Sequence, residues 1–506
     1  MSTDSWGDGP FAAVRETHIG VVFLVGELAY KLKKPVRTTF LDFSTRQRRL
    51  DACRREVELN RRLAPDVYLG VAEVTGVDGH PCDHLVVMRR MPEQRRLAAL
   101  LGAGVPLDGE IRQLARTLAA FHAGARRSPE ITVEGGRDAL RAHWVGHFAD
   151  LQPFHDTVLD GTLMLELERL ALDFLDGREP LLTTRQRTGR IVDGHGDLLT
   201  ADIFCLDGGP RMLDCLEFDD RLRYLDGLDD AAFLAMDLEY RGAAELATRF
   251  LDWYAEFAGD PAPPALRDHY VAYRALIRAK VACLRSEQGD GPVQESSREQ
   301  ARHYAAIAAR HLRAGQVRLV LVGGLPGTGK TTVSNALAGE LGMVMLSSDR
   351  VRKELHGIAP HQSAAAPYHQ GLYSPAATER TYTELLTRAA RCLAQGESVV
   401  LDASWTSAPR RAAAEELAHR AHAGLIALEC TAPPEVTAQR LRQRVGSVSD
   451  ADEAVSRAMA AHADPWPQAS PIPTGESLAA AVAAARRQLT DHARPSTGAL
   501  PTNLTL

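Results

Sequence analysis

The sequence predicts two folded parts in tandem: an α+β part with a small β-rich lobe and a helical lobe, then an α/β part with a parallel sheet. Short apolar β-type runs and one helix fill residues 1–92, and helical periodicity follows from Leu107. Near residue 317 the pattern changes to strands alternating with helices, which is typical of a parallel sheet. At 506 residues the chain is too long for one hydrophobic core.

The composition is that of an ordinary globular protein. The net charge of −6 argues against a general nucleic-acid binder. The 7 cysteines are scattered without a C-x-x-C pair, which predicts free thiols in a reducing compartment. No apolar run is long enough to cross a membrane and the N-terminus lacks a signal-peptide core, so we expect a cytoplasmic protein with no membrane partner. The sequence is silent on oligomeric state.

A strand pair near the N-terminus carries the first candidate lysine. Residues 20–25 are apolar and β-branched, a Gly-Glu turn follows, and residues 28–32 alternate between apolar and polar side chains. Lys31 therefore lies in a strand among apolar neighbours. Taken alone, it also fits an exposed edge lysine, as Lys33 and Lys34 do.

A long helix and a further strand complete the β-rich lobe. Ser44 can cap the helix, which is expected to end before Pro65. Glu56 and Glu58 both flank its apolar face, so periodicity does not choose between them. Residues 85–88 then predict another strand.

Two acidic segments follow the first helical stretch. One segment spans residues 193–202 and contains His195-Gly196-Asp197, and the other begins at Asp214 after a short strand. One aspartate can accept a proton from an attacking hydroxyl, while a carboxylate at a strand end can hold Mg²⁺ across phosphates. The two segments therefore predict a metal–phosphate site.

These segments fit H-G-D-x-x-x-x-[N/D] followed by a strand and D-x-x-E, which resembles the aminoglycoside phosphotransferase (choline-kinase-like) branch of the protein-kinase fold. The resemblance covers about residues 11–290 and implies one Mg·ATP site between two lobes. The residues it implies are the base Asp197, the Mg²⁺ ligands Asp202 and Asp214, the phosphate-binding Lys31 with Glu56 or Glu58 as its partner, and an adenine hinge from Met88 to Met91.

The sequence departs from that family at two points. Asp202 stands where the family usually has asparagine, which adds negative charge beside ATP. No G-x-G-x-x-G precedes Lys31, so the loop over the phosphates is expected near residues 16–18. The resemblance also suggests that Asp226 supports the catalytic loop, although an acid at a helix start has an equally simple reading as a favourable charge on the helix dipole.

A turn at residues 289–292 and the helix after it mark the predicted domain linker. The predicted division is residues 1–92 and 93–290 for the two lobes, 291–315 for a linker helix, 316–493 for the second domain and 494–506 for a disordered tail.

The second domain opens on a phosphate-binding motif. Residues 324–331 fit G-x-x-x-x-G-K-[ST] between a β-type run and a helical pattern. Glycines let backbone N–H groups turn around a phosphate, and the helix N-terminus adds positive charge. Lys330 is expected on the β- and γ-phosphates and Thr331 on Mg²⁺. The nucleotide-binding residues are Gly324, Gly327, Thr328, Gly329, Lys330, Thr331 and Thr332.

Two aspartates follow later strands of the same domain. Asp349 follows the strand 343–346 and Asp402 ends the strand 398–401, so both should lie with the phosphate loop at one edge of the sheet. Asp402 is assigned to the substrate side of that edge. It is followed by alanine rather than glutamate, which argues against an ATPase motor.

Ser347-Ser348-Asp349-Arg350-Val351-Arg352 fits S-x-D-x-x-R and resembles P-loop small-molecule kinases of the zeta-toxin, chloramphenicol phosphotransferase and polynucleotide-kinase group. That resemblance implies Asp349 as the base and Arg352 on the substrate. Arg440, Arg442 and Arg444 resemble its lid, where Arg444 is the favoured catalytic arginine, although such arginines also fit a solvated helix face.

The whole order resembles a family of tandem bacterial proteins that join an aminoglycoside phosphotransferase-like domain to an AAA-type P-loop domain. We expect a bifunctional ATP- and Mg²⁺-dependent phosphotransferase acting on hydroxyls of small amino sugars, aminoglycosides or nucleotide-sugar-like acceptors. In the alternative, the first half is a ligand-binding sensor that regulates one active P-loop half. A nucleic-acid end kinase is a third and weaker reading, which the acidic balance disfavours.

Overall fold

The computed structural model describes residues 12–16, 20–37, 42–359, 362, 370–443 and 453–491. The chain folds into two compact units. The first unit holds most of the chain up to Leu312, and the second holds the chain from Arg313 together with residues 169–181 and 263–265.

The first unit opens with a five-stranded antiparallel sheet in the order β1-β2-β3-β5-β4. Its strands are β1 (Ala12–Glu16), β2 (Gly20–Val25), β3 (Leu28–Lys33), β4 (Tyr68–Thr75) and β5 (Pro81–Arg89). Helix α1 (Arg46–Asn60) is capped by Thr45, whose side chain accepts from the Arg48 N–H, so the cap lies one residue after the expected Ser44. Cys53, Val57 and Val86 join α1 to the sheet in one buried cluster.

The chain then becomes mostly helical up to Ala314. The helices are α2 (Leu97–Gly102), α3 (Asp108–Gly124), α4 (Pro129–Glu134), α5 (Arg137–Leu151), α6 (Gly161–Gly177), α7 (Glu179–Arg187), α8 (Gly227–Tyr240), α9 (Ala244–Ala258), α10 (Pro264–Gln288) and α11 (Pro292–Ala314). In α11, Tyr304 stacks on Tyr240 with ring centroids 4.1 Å apart, and residues up to Leu312 lie in the first unit. The predicted domain boundaries, including the linker helix, stay predictions.

Two short antiparallel strand pairs interrupt these helices and carry the acidic segments. The strands are β6 (Ile191–Asp193), β7 (Ile203–Leu206), β8 (Gly209–Met212) and β9 (Tyr224–Asp226), with β6 paired to β9 and β7 to β8. The His-Gly-Asp segment leaves β6, and Asp214 follows β8. The hairpin thus brings both acidic segments to one place.

The second unit is a five-stranded parallel sheet in the order β11-β12-β10-β13-β14. Its strands are β10 (Arg318–Gly323), β11 (Val344–Ser347), β12 (Val399–Asp402), β13 (Gly424–Thr431) and β14 (Ser470–Pro473). Its helices are α12 (Lys330–Leu341), α13 (Ser348–Leu355), α14 (Pro375–Ala394), α15 (Ala408–Arg420), α16 (Pro434–Arg442), α17 (Glu453–Ala461) and α18 (Leu478–Asp491). The chain crosses to both sides of β10, so the carboxyl end of β10 is a switch point where ligands bind in such sheets.

The predicted fold class is confirmed: an α+β unit with a β-rich and a helical lobe precedes an α/β unit with a parallel sheet. The strands that the sequence predicts for the second unit, at 317–322, 343–346, 398–401 and 425–428, all form. β14 was not predicted, because a four-residue Ser-Pro-Ile-Pro run at a sheet edge has too few apolar residues to signal a strand. The predicted tail at 494–506 lies outside the described residues. In the ranges given above, no helix combines the length and apolarity needed to cross a membrane.

Candidate active sites

Lys31 on β3 binds two carboxylates in the first unit. Its Nζ lies 2.9 Å from Glu56 Oε1 and 2.6 Å from Asp214 Oδ1. Glu58 points elsewhere, since its side chain is 69% exposed and pairs with Arg55. The structure therefore brings Glu56 and not Glu58 to the lysine, a choice that depended on contacts across the fold.

The expectation that Lys33 is an exposed edge lysine is wrong. The side chain is only 2% exposed, and its Nζ lies 2.7 Å from Glu56 Oε2 and 2.5 Å from Glu217 Oε1. Residues two apart on a strand point to the same face, so the alternation that buries Lys31 also buries Lys33. The sequence carries this signal for Lys33, and Glu217 is the glutamate of the D-x-x-E segment, but neither pattern shows that the two residues pair.

Lys31, Lys33, Glu56 and Glu217 form a buried ion network. Burial opposes ionisation of Glu56, but the two ammonium groups outweigh it and lower the pKa of that carboxyl. Burial also opposes the charge on Lys33, yet Glu56 and Glu217 raise its pKa overall. The ion pairs of Glu56 on α1 with Lys31 and Lys33 on β3 thus join these two elements and orient Lys31 toward the cleft.

Lys33→Met is expected to destabilise the first unit by about 3–5 kcal/mol, because it leaves a buried carboxylate without its partner. Urea-dependent hydrogen exchange of peptides covering β3 measures this locally. Lys34→Met is the matched control, since Lys34 makes a surface pair with Glu16 and should change stability by about 1 kcal/mol or less. The double variant Lys33→Met, Glu217→Leu should recover part of the loss. A loss below about 1 kcal/mol for Lys33→Met would contradict the network's role.

Asp230 on α8 supports the His-Gly-Asp loop. Its carboxylate accepts from the His195 N–H at 2.7 Å and the Gly196 N–H at 3.0 Å, and His122 Nε2 lies 3.0 Å away. Asp226, suggested for this role by resemblance, instead caps α8 by accepting from the Leu228 N–H at 2.9 Å.

Asp226 also pairs with Arg185 at 2.6 Å, so it belongs to a structural ion pair. The helix-start interpretation of Asp226 therefore holds, and the support for the loop comes one helical turn later in the chain.

The candidate base Asp197 lies half-buried beside the two candidate metal ligands. Burial raises the pKa of Asp197 to about 6, against the opposing charge of Arg278. Burial and the charges of Asp214 and Asp197 raise the pKa of Asp202 to about 8. Without a cation, ionisation of Asp202 is therefore disfavoured, which reduces the extra negative charge expected from it.

The donor set of the first unit fits Mg²⁺. Asp202 and Asp214 supply hard carboxylate oxygens. Burial, followed by repulsion from Asp214 and Asp197, opposes ionisation of Asp202, and the positive charge of a divalent cation would counter both effects. In the described ranges, no group of three or more His, Cys, Asp or Glu side chains is arranged to hold a metal by itself. A magnesium ion here would share its coordination with phosphate oxygens, as this ion commonly does.

A cleft of about 320 Å³ joins these groups to the hinge. Its charged lining includes Lys31, Asp202 and Asp214. Its apolar lining residues include Met88, Val22, Ala29, Met91, Phe204 and Leu213. The apolar residues suit an adenine ring, and the charged residues suit phosphates with a cation.

The phosphate loop of the second unit has the backbone its motif requires. Gly324, Gly327 and Gly329 have φ of 126°, 86° and 86°, values that L side chains rarely adopt. A Cβ at Gly324 would lie 2.5 Å from the Cys430 carbonyl oxygen, so only glycine fits. Helix α12 starts at Lys330 and directs its N-terminus at the loop, which fits an anion such as a nucleotide phosphate.

Side chains around the loop fix its shape. Thr328 Oγ1 and Lys330 Nζ donate to the Leu325 carbonyl at 2.8 Å and 2.9 Å. Thr474 Oγ1 donates to the Thr328 carbonyl at 2.6 Å. Arg440 donates to the Thr474 carbonyl at 2.7 Å, so this candidate lid arginine braces the loop in the structure.

Thr331 and Asp402 form the candidate magnesium pair of the second unit. Thr331 Oγ1 donates to Asp402 Oδ2 at 2.8 Å, and burial raises the pKa of Asp402 against the opposing charge of Lys330. A hydroxyl and a carboxylate are hard oxygen donors, so these residues fit Mg²⁺. The predicted substrate contact of Asp402 stays a prediction.

Asp349 and Arg352 lie one turn apart on α13. Arg352 Nη1 lies 2.5 Å from Asp349 Oδ1, and its guanidinium lies over the Tyr373 ring at 4.7 Å. A cavity of about 720 Å³ brings both together with the phosphate loop. The predicted residues that line it are Gly327, Gly329, Lys330, Thr331, Thr332, Asp349, Arg352 and Asp402.

The other two lid candidates are Arg442 and Arg444, and neither is among the described residues that line this cavity. Arg442 is mostly exposed and pairs with Glu453 at 2.9 Å. Arg444, the favoured lid arginine, lies outside the described residues. Sequence reasoning missed Tyr373, Tyr382 and Arg410 of the cavity lining, because no motif contains them.

The structure defines two units: an α+β unit whose cleft holds a lysine and carboxylates, and a parallel-sheet unit that carries a phosphate-binding loop. A family model described as an AAA domain matches residues 319–466. The uncharacterized protein Rv2004c of Mycobacterium tuberculosis is 44% identical over 459 residues, which make up 91% of each chain. The chain belongs to the family of that protein.

Solved structures with similar folds cover the two units separately. A choline/ethanolamine kinase family protein from Mesorhizobium loti is 15% identical and covers 61% of this chain and 92% of its own length, with a TM-score of 0.38. A gluconokinase from Sinorhizobium meliloti is 20% identical and covers 35% of this chain and 93% of its own length, with a TM-score of 0.26.

Proposed function

We propose that the protein is a bifunctional ATP-dependent phosphotransferase that phosphorylates hydroxyl groups of small molecules in the cytoplasm. The observation that carries this proposal is the placement of Asp349. This carboxylate shares one cavity with the phosphate-loop Lys330 and with the Thr331–Asp402 pair. A proton acceptor, a phosphate cradle and a cation site are the parts that phosphoryl transfer needs.

In the second unit, Asp349 accepts the proton of the acceptor hydroxyl and Arg352 holds both the base and the acceptor. The backbone N–H groups of residues 324–331 and Lys330 bind the β- and γ-phosphates. Thr331 and Asp402 hold the cation. When bound, Mg²⁺ neutralises phosphate charge, and Arg444 adds positive charge at the transferring group.

In the first unit, Asp197 is the proton acceptor. Lys31, oriented by Glu56, binds phosphates of ATP, and Asp202 with Asp214 holds the cation. Met88 is one of the apolar lining residues that suit an adenine ring. Aminoglycosides, amino sugars and nucleotide-sugar-like molecules are the acceptor classes proposed for the two units together.

The alternative assigns the first unit to ligand sensing. Two observations favour it: Lys31 Nζ is engaged by the candidate metal ligand Asp214 at 2.6 Å, and Asp202 has its pKa raised to about 8. A carboxyl whose ionisation is disfavoured is a weaker cation ligand, so nucleotide could bind there without turnover.

An acceptor panel separates the two proposals. ATP consumption is measured against amino sugars, aminoglycosides, nucleosides and nucleoside-diphosphate sugars with wild type, Asp197→Ala and Lys330→Ala. For a bifunctional kinase, each substitution is expected to remove phosphorylation of a different acceptor. If Lys330→Ala abolishes all turnover and Asp197→Ala none, the first unit is a sensor. A wild type that phosphorylates no acceptor overturns the proposed function.

A further inference from the structure

We infer that the acceptor of the second unit carries an anionic group, a carboxylate or a phosphate, which binds between Arg352 and Arg410. This inference rests on the proposed function of the cavity and names its substrate class. It excludes polycationic aminoglycosides from this cavity and leaves them to the first unit.

Arg352 and Arg410 both line the cavity, and each lies over a tyrosine ring. Arg352 is only 7% exposed and lies over the Tyr373 ring at 4.7 Å. Arg410, on α15, lies over the Tyr382 ring at the same distance of 4.7 Å. All four residues line the cavity. Stacking on an aromatic face fixes a guanidinium plane and leaves its edge to bind a planar or tetrahedral anion.

Both guanidinium groups have hydrogen-bonding capacity left over. Among the described residues, the buried Nε atoms of Arg352 and Arg410 have no hydrogen-bond partner. The carboxylate facing Arg410 Nε is that of Glu379, 3.6 Å away on a side chain that is 70% exposed, so the pair is weak. Such unsatisfied buried donors need an explanation, and an anionic ligand supplies a partner when the side chain turns to present Nε to the cavity.

The charge balance of the cavity is positive. Its charged lining residues are Lys330, Arg350, Arg352, Arg388 and Arg410 against Asp349, Glu354 and Asp402. Glu354 is matched by Arg388 at 2.6 Å, and Asp349 is matched by Arg352 at 2.5 Å. Asp402 faces Lys330 and Thr331 in the phosphate site. Within the cavity lining, the exposed Arg350 and the half-buried Arg410 are thus left without a matching carboxylate.

Tyr382, whose ring lies under Arg410, is linked to the phosphate loop by hydrogen bonds. Tyr382 OH lies 3.1 Å from Ser404 Oγ and accepts from the Trp405 N–H at 3.4 Å. The Ser404 carbonyl accepts from the Gly324 N–H at 3.2 Å. Trp405 is buried with φ of 53°, a strained conformation for an aromatic residue that surrounding contacts must hold.

This chain of contacts fixes Arg410 relative to Gly324 and the phosphate loop. An anion bound at Arg410 would therefore position the rest of a small acceptor at a set distance from the transferring phosphoryl group. Binding groups that are remote from the reacting atoms aid catalysis through such positioning.

Matched acceptor pairs test the inference. Initial rates are compared for gluconate against glucitol and for a nucleoside 5′-monophosphate against its nucleoside. We expect the anionic member of at least one pair to have the higher kcat/KM, by about tenfold or more for a charge-assisted contact. The two pairs distinguish a carboxylate from a phosphate.

Arg410→Met is expected to raise the KM of the anionic acceptor by about tenfold or more and to leave the KM of Mg·ATP unchanged. Arg420→Met is the matched control, because Arg420 lies on the same helix, is mostly exposed and pairs with Glu416. Isothermal titration calorimetry of the same anionic molecules gives a readout that does not need turnover.

The outcomes separate the two claims. One result would overturn the inference and leave the proposed function standing. In it, Lys330→Ala abolishes turnover, no pair shows a preference for its anionic member, and Arg410→Met has no effect. Anion binding that Arg410→Met weakens, without phosphorylation of any acceptor, overturns the proposed function and with it the inference about the acceptor. Calorimetry that shows no binding preference for the anionic members also overturns the inference.

Discussion

Asp349→Asn is expected to lower kcat of the second unit by about 10²–10⁴-fold, the usual cost of losing a general base, with the KM of Mg·ATP unchanged. Asparagine keeps the size of the side chain and an oxygen that can still accept from Arg352 at the present 2.5 Å contact. It cannot take the proton of the acceptor hydroxyl. Steady-state kinetics with the acceptor that requires Lys330 measure both constants.

Asp402→Asn provides the comparison for Asp349→Asn within the same cavity. Asp402 contacts Thr331 and not Arg352, so its loss is expected to raise the Mg²⁺ concentration needed for half-maximal rate. Two carboxylates in one cavity should then give two different kinetic signatures. A kcat for Asp349→Asn within threefold of the wild type, roughly what loss of one neutral hydrogen bond costs, would remove Asp349 from the role of base.

The second unit could be predicted from sequence largely because its information is local. The phosphate loop is one continuous segment whose glycines at 324, 327 and 329 must adopt positive φ. Asp349 and Asp402 follow strands of a parallel sheet, and such strands end at the same edge. That general rule is enough to place both aspartates and the phosphate loop at one edge of the sheet, whereas the strand order was not predicted.

The first unit depended on contacts between segments far apart in the chain. Glu56 and Glu58 have similar sequence settings, and only packing against β3 brings Glu56 to Lys31. Asp226 and Asp230 are both acids near the start of α8. Their roles differ because the loop after β6 passes over the second of them, which periodicity along one helix cannot show.

Arg410 and Tyr382 show a further limit. They lie on two helices of the second unit, outside every motif, and their stacking becomes visible only when the helices are placed side by side. In the sequence alone, charged and aromatic residues on separate helices are equally well interpreted as ordinary surface residues. The cavity that both residues line is what distinguishes them from solvated side chains.

Phosphorylation by the first unit is expected to lose rate as pH falls through about 6. Burial raises the pKa of Asp197 to about 6 from its ordinary value near 4, and the base must be ionised to accept a proton. The charged groups that act on it are Arg278, Asp214, Arg274 and Asp237. At pH 5, one unit below that pKa, kcat/KM should be about tenfold below its plateau.

Arg278→Gln provides the sharpest check on that assignment. The Arg278 charge lowers the pKa of Asp197, so its removal should move the acid limb of the profile to higher pH. Lys280→Gln on the same helix is the matched control, because Lys280 faces His147 and Asp150 instead. A structural role for Arg278 would lower the rate at every pH without moving the limb.

Asp197→Asn, measured on the same acceptor, should lower the plateau by about 10²–10⁴-fold. Since Asp202 and Asp214 remain in place in this variant, Mg·ATP should still bind, which separates loss of the base from loss of the nucleotide site. A profile that stays flat to pH 5, with Asp197→Asn as active as the wild type, would place the base elsewhere. If nucleotide bound but no acceptor turned over, the cleft around Lys31 would be a sensor.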